Sequence, residues 1–308
     1  MSKYLTDYSQ DESKWDNHRS IADDVSSIYL NSVDFRRYSE RIDQCTGYLD
    51  YTWITDDNTG EQSIKLRRAF FCRVRHCPVC QWRRSMMWQA KFYQALPSIQ
   101  TSYPSSRWLM LTLTVRNCDI HELGDTITVM NKAFKKLTLR KEFRASVLGF
   151  IRTTEVTYSV SKNGNTHPHF HVLLMVKPSY FKKGYIKHSV WVEMWRSCLK
   201  VDYSPNVDIR PIKGDLKQGV IEVLKYSIKP DDMTTDNKWF IELTKQLLNR
   251  RFIGTGGVLK DMFSEREKNN DDLLYDENNT KPEDDEELKN LLRFGWSKTD
   301  RRYKKVNR

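Results

Sequence analysis

The sequence predicts an α+β fold, a central antiparallel β-sheet flanked by helices and preceded by a basic, Cys-rich, zinc-binding subdomain. Two observations predict the sheet and its helices. Residues 107–116 (RWLMLTLTVR) alternate Leu, Thr and Val with the period of two expected of a strand. Between strand-like runs lie segments whose apolar residues recur at helical spacing. A third observation, cysteines crowded into a basic stretch near residue 75, predicts the subdomain.

Taken in order, residues 21–43 carry Val25, Ile28, Tyr29, Val33 and Phe35 at helix-like spacing. Residues 107–116 form the first strand of the sheet and 125–139 a helix. Residues 147–160 and 167–176 read as two strands joined through Asn163-Gly164, a strong hairpin signal. A helix follows over 186–200 on Ile186, Val190, Trp191, Met194, Trp195 and Leu199, then a strand over 205–212. A last helix over 216–229 carries Val220, Val223, Leu224 and Ile228 on one stripe and is stopped by Pro230. This divides the chain into an N-terminal helical or flexible segment (1–40), the Cys-rich region (41–100), the sheet domain (101–264) and an end segment (265–308).

The 308 residues include 51 Lys and Arg against 40 Asp and Glu, a net charge of +11. Residues 265–290 hold eleven acids against four bases and few apolar groups, so they read as a disordered, solvated linker. The final LLRFGWSKTDRRYKKVNR reads as an apolar patch and an unstructured basic tail, with an arm touching DNA phosphates as the alternative. Basic charge over the remainder favours nucleic acid as partner. No run of 18 apolar residues occurs, which excludes a membrane helix. The polar start MSKYLTDYSQDESKW is not a signal peptide, which predicts a cytoplasmic protein.

In that compartment six cysteines are not expected to form structural disulfides. Cys77-Pro78-Val79-Cys80 is a C-x-x-C pair, with Cys72 five residues before it and Cys45 further upstream. Four thiolates suit a tetrahedral structural Zn²⁺, and His76 competes with Cys45 for the fourth place. A redox C-x-x-C lacks its βαβ context here, and buried free thiols are the plain alternative. Arg67, Arg68, Arg73, Arg75, Arg83 and Arg84 lie in the same acid-free segment, interleaved with Phe70, Phe71, Trp82 and Trp88. These arginines are expected to contact DNA phosphates, the alternative being a solvated basic face. Cys118 and Cys198 lie apart and read as packing residues.

His167-Pro168-His169-Phe170-His171 opens an apolar strand. Residues two apart share a face, so His169 and His171 can reach one metal ion while Phe170 enters the core. Glu155, on the strand across the hairpin, supplies the carboxylate of a two-imidazole, one-carboxylate site, and His167 shares the face as a competitor. The triple histidine is also similar to the histidine-triad nucleotide hydrolases, which need neither cysteines nor a tyrosine. On the last helix, Glu222 and Tyr226 are i and i+4, with Lys229 three residues on. Tyr226 is a poor nucleophile unless a cation or base assists it, and a half-buried core tyrosine is the alternative.

Three elements thus stand in order: TLTV at 112–115, HPHFHVLL at 167–174 and EVLKYSIK at 222–229. They resemble the three motifs of rolling-circle replication initiators in the HUH endonuclease superfamily. The segment FCRVRHCPVCQWRRS further resembles the plasmid initiators of Rep 1 type. The resemblance covers roughly residues 40–265. It implies a five-stranded antiparallel sheet, with His169, His171 and Glu155 as ligands of Mg²⁺ or Mn²⁺. It implies Tyr226 as nucleophile, Lys229 as the lysine of a Tyr-x-x-Lys pattern, and Glu222 as the water-activating residue of a closing hydrolysis. The implied activity is nicking at a plasmid double-strand origin, on an exposed single strand or hairpin. A 5′-phosphotyrosine and a 3′-hydroxyl primer result. A host helicase and DNA polymerase are the implied partners, and an oligomer is compatible with the resemblance. Competing readings are a transposase or relaxase of the same superfamily and a non-enzymatic zinc-dependent DNA-binding regulator.

Overall fold

The computed structural model describes residues 3–159, 165–214, 216–225, 227–260, 273–274 and 291–306. It is an α+β structure with two antiparallel sheets rather than one. The chain divides into two compact units, residues 1–90 with 267–308 and residues 91–266. Among the described residues no helix is long and apolar enough to cross a membrane.

The first unit opens with α1 (Ser13–Leu30) and α2 (Arg36–Gln44). The single helix expected over 21–43 is therefore two. The break falls at Asn31–Phe35, where Val33 is 98% exposed and so anchors no helix face. Strands β1 (Tyr48–Thr55) and β2 (Gln62–Ala69) follow. Helix α3 (Pro78–Ser102) begins here, with Pro at its first position, where a missing N–H costs nothing.

The second unit holds β3 (Arg107–Thr114), α4 (Leu123–Thr138), α5 (Lys141–Ser146), β4 (Val147–Tyr158) and β5 (Thr166–Val176). After them come α6 (His188–Leu199), β6 (Val207–Pro211), α7 (Lys217–Leu224), α8 (Asp232–Thr235), α9 (Asn237–Gln246) and β7 (Ile253–Gly257). Its five strands run in the order β6-β3-β5-β4-β7. One face buries Leu111, Leu113, Phe170, Val172 and Leu174 against Phe134, Trp191 and Trp195. Phe170 faces this core, as the histidine spacing requires. The Asn163-Gly164 turn lies outside the described residues, but the β4–β5 register that it implied is present.

The chain ends in two strands, β8 (Leu292–Ser297) and β9 (Arg302–Val306). They complete a first-unit sheet of order β2-β1-β8-β9. This corrects the expectation of an unstructured basic tail. Phe294 and Tyr303 alternate with polar neighbours, are fully buried, and give the segment the apolar face that a sheet needs. The Tyr303 hydroxyl donates to the Thr46 carbonyl at 2.8 Å, and its N–H donates to Asp16 at 2.8 Å. Residues 261–272 and 275–290, most of the expected acidic linker, lie outside the described residues.

Candidate functional site

The second unit's sheet brings three sequence-predicted ligands to one point. Register pairs Glu155 with His169 and Thr153 with His171 across β4 and β5, and Thr112 with His171 across β3 and β5. The same face therefore carries Glu155, His169 and His171, opposite the face that holds Phe170. Nε2 of His171 lies 2.7 Å and Nε2 of His169 3.2 Å from one oxygen, Oε2 of Glu155. The other ring nitrogens are also engaged. His171 Nδ1 is 3.4 Å from the Thr112 hydroxyl, and His169 Nδ1 is 3.3 Å from the His167 carbonyl. Such Nδ1 contacts fix ring orientation and aim Nε2 at a common centre. This gives the TLTV segment a structural role that its sequence did not reveal.

Glu155 is 3% exposed and His171 7%. Burial alone would raise the Glu155 carboxyl. Hydrogen bonds from both imidazoles and the charges of His169 and Lys225 outweigh it and hold the group well below the usual carboxylate range. Two imidazoles and a carboxylate with their ligand atoms within 4.8 Å of one another could hold a metal ion, and this donor set suits a divalent cation with open positions. His167 does not join them. Its Nδ1 lies 2.7 Å from Asn117 Oδ1, and burial with the charge of His169 lowers its pKa.

Helix α7 packs over this face on β4 and β5, burying Val220, Val223 and Leu224. It is shorter than expected. It closes at Leu224, and Lys225 takes up extended backbone (φ −67°, ψ −170°). The edge of β4 competes for the backbone here: Thr153 Oγ1 donates to the Val223 carbonyl at 2.6 Å, and the Val156 N–H donates to the Ser227 carbonyl at 2.9 Å. The expected helical register of Glu222 over Tyr226 therefore does not extend past Leu224, and Tyr226 lies outside the described residues. Its neighbours on both sides are tied to β4 beside Glu155. Lys225, unnoticed in the sequence, places its ammonium 3.3 Å from Glu155 Oε2 and 2.6 Å from Glu222 Oε1. Lys229 is exposed and belongs to none of these pairs.

In the first unit Cys45, Cys72, Cys77 and Cys80 converge, all buried. Their sulfurs are 3.6 Å (Cys45–Cys80 and Cys72–Cys80) and 3.7 Å (Cys45–Cys77) apart. Zinc–sulfur bonds of about 2.3 Å in a tetrahedron require edges of about 3.8 Å, so the four groups fit Zn²⁺. The N–H groups of Cys72 and Val74 donate to the sulfurs of Cys45 and Cys72. Cys77 sits immediately before α3 and Cys80 in its first turn. Of the two candidates for the fourth position, Cys45 is in the cluster and His76 is not.

A family model described as Replication protein, Rep_1, matches residues 63–304. The chain belongs to this replication protein family. A "Protein rep" of Streptococcus pneumoniae serotype 2 is 35% identical over 275 residues, spanning 86% of this chain and 83% of that relative. A "Protein rep" of Bacillus amyloliquefaciens is 37% identical over 255 residues, 75% of this chain and 74% of that one. A "Replication protein" of Staphylococcus aureus is 33% identical over 199 residues, 59% and 84% of the two chains. No solved structure matches. The Rep match includes both the cysteine cluster from Cys72 onward and the histidine strand.

The six arginines expected on DNA in this Rep family member are not equivalent. Arg68 is exposed, and Arg73, Arg75 and Arg84 are half-buried. Arg67 is 7% exposed, and Arg83, at 2%, departs from the expectation. Arg83 donates to the carbonyls of Leu273 and Leu274 at 2.7 and 2.8 Å and lies over the rings of Trp15 and Trp82. It holds the unit together from inside, where no phosphate reaches it.

Proposed function

We propose that this chain initiates rolling-circle replication of a plasmid by nicking one strand at its double-strand origin, with an HUH-type site and Tyr226 as nucleophile. The observation that carries the reading is the convergence of His169 and His171 Nε2 on Glu155 Oε2. It is supported by the anchoring of both neighbours of Tyr226 beside that carboxylate. Polarisation of the scissile phosphate is the chemistry that Mg²⁺ or Mn²⁺ supplies at such a site.

The chain's own groups supply the rest. Glu155, His169 and His171 would hold the cation, and Thr112 keeps the His171 ring in place. The Tyr226 oxygen bonds to phosphorus as the bond from phosphorus to the 3′ oxygen breaks, and the phenolic proton passes to the departing oxygen. The products are a 5′-phosphotyrosine and a 3′-hydroxyl primer for the host polymerase, with a host helicase opening the duplex. The Lys225 ammonium lies where anionic charge on the phosphate would be stabilised. Glu222, half-exposed and paired with Lys225, acts as base on the water that closes the cycle. The four-cysteine cluster holds structural zinc.

Purified protein, Mn²⁺ and end-labelled single-stranded origin DNA, resolved by denaturing electrophoresis, test the reading. With the label at the 3′ end, on the fragment that the tyrosine retains, a labelled band at the mass of the protein plus that fragment is expected for the wild type, absent for Tyr226→Phe and retained but not turned over for Glu222→Ala. Binding without any adduct in the wild type would replace the enzyme with a DNA-binding regulator.

A further inference from the structure

The first unit's sheet has two unlike faces. Leu49, Tyr51, Phe294 and Tyr303 are buried on one. On the other, register sets Arg68, Asp50 and Arg293 side by side across β2, β1 and β8. The next row holds Tyr48, Gly295 and Lys304, and Phe70 follows one step past the pair Leu49–Ala69. The Thr46 N–H donates to the Phe70 carbonyl at 2.6 Å, tying the two chain segments together.

This face exposes large rings. Tyr48 is 59% and Phe70 54% exposed, although both are flanked by residues of a packed sheet. A Cβ at position 295 would stand 3.2 Å from Cε1 of Tyr48, so glycine there leaves the ring room to lie against the sheet. The two rings line a cleft of about 760 Å³ together with Arg67, Arg68 and Asp50, a volume typical of ligand sites. Asp50 offers little negative charge, because it is 4% exposed and both its oxygens accept from Arg293, at 2.7 and 2.8 Å. The guanidinium of Arg293 lies 5.5 Å from the Tyr48 ring centroid. One further carboxylate, Asp43, stands at the rim, paired with Lys298 at 3.3 Å.

Flat exposed rings beside guanidinium groups match the two surfaces of an unpaired nucleotide, an apolar base face and an anionic phosphate. Bases inside a duplex have both faces covered by stacked neighbours and cannot use such rings. We propose that this outward face binds unpaired nucleotides of DNA, with Tyr48 and Phe70 as stacking platforms and Arg68 as the phosphate contact. The site deepens the origin-nicking reading and rests on it for the identity of the strand. It would hold exposed single strand at a place other than the Glu155–His169–His171 centre. Its rings are fixed by the cysteine cluster, since Cys45 precedes Tyr48 by three residues and Cys72 follows Phe70 by two.

Fluorescence anisotropy on the full chain tests this with labelled oligothymidylate and a duplex of equal length. Tyr48→Ala and Phe70→Ala are each expected to weaken single-strand binding about ten-fold, with Tyr48→Phe within about two-fold and duplex binding unchanged. Arg68→Ala is expected to lower the salt dependence by about one counterion. Unchanged oligothymidylate affinity in both alanine variants overturns the proposal. If either alanine variant loses its melting transition, Phe70→Leu decides: about a ten-fold loss sustains the site, and wild-type binding overturns it. The adduct assay separates the two readings. A wild type that binds through these rings yet forms no adduct sinks nicking alone. A wild type that forms adduct, with both alanine variants binding normally, sinks this site alone.

Discussion

Glu155 and Lys225 share a problem of charge. A single carboxylate oxygen receives two imidazole nitrogens and an ammonium within 3.3 Å. A divalent cation at this centre must compete with the ammonium for that oxygen. Lys225→Met is therefore expected to raise Mn²⁺ affinity about ten-fold, and Glu155→Gln to lower it by at least as much, by titration calorimetry on the full chain. Tighter binding in Glu155→Gln would show that the carboxylate is not a ligand. The two histidines and Glu155 were legible in the sequence because period-two spacing and a hairpin turn decide which side chains share a face. Lys225 was not, because its reach depends on the point where α7 stops. A second residue-scale prediction concerns His18, whose ring stacks on Trp82 with centroids 4.7 Å apart. Burial, then the charge of Lys14, depresses its pKa from 6.5 to about 4. Between those values the unfolded chain holds a proton that the folded chain does not. This contribution is complete above pH 6.5 and is lost as pH falls toward 4. It is worth on the order of 3 kcal/mol, and denaturant titrations across that range should flatten in His18→Phe. An identical pH profile in that variant would rule His18 out as the source.

At the scale of elements, strands and helices of the second unit follow their periodicity closely, from 107–114 through 207–211. Helix α7 and the terminal hairpin did not, nor did the helix expected over 21–43. Helix α7 carries a helical stripe up to Ile228, but hydrogen bonds to the β4 edge end it at Leu224, and no local pattern records that competition. The terminal hairpin was hidden by its charge. Lys and Arg dominate residues 293–308, and only the alternation around Phe294 and Tyr303 marks the buried side. Phe294 also meets Tyr51 edge-on, with ring centroids 5.9 Å apart. Phe294→Ala is expected to destabilise the first unit by about 3–5 kcal/mol in urea unfolding. A loss under about 1 kcal/mol would mean that the hairpin adds little to the sheet.

For the whole molecule, two sheets, one in each of two compact units, imply two cooperative units. The sequence showed the sheet of the second unit and the cysteine cluster of the first. It did not show that the cluster belongs to a sheet of its own, because half of that sheet lies more than two hundred residues downstream. Cys80→Ser is expected to abolish Zn²⁺ binding, read by metal analysis, and the hydrogen-exchange protection of β1, β2, β8 and β9 while leaving β3, β4 and β5 protected. Equal loss of protection in both sheets would show that they unfold as one.

The place of β8 and β9 in the first sheet also sets the order of assembly during synthesis. Strand β1 needs β8 as its neighbour, and 236 residues of chain, 56 to 291, separate the two strands. On the ribosome, the N-terminal segment must wait with one edge of β1 unpaired while the entire second unit is made. A message broken or stopped between residues 266 and 292 therefore yields a chain whose histidine centre can fold but whose first sheet stays open and prone to aggregate. Completion of the first unit reports that translation has passed β9.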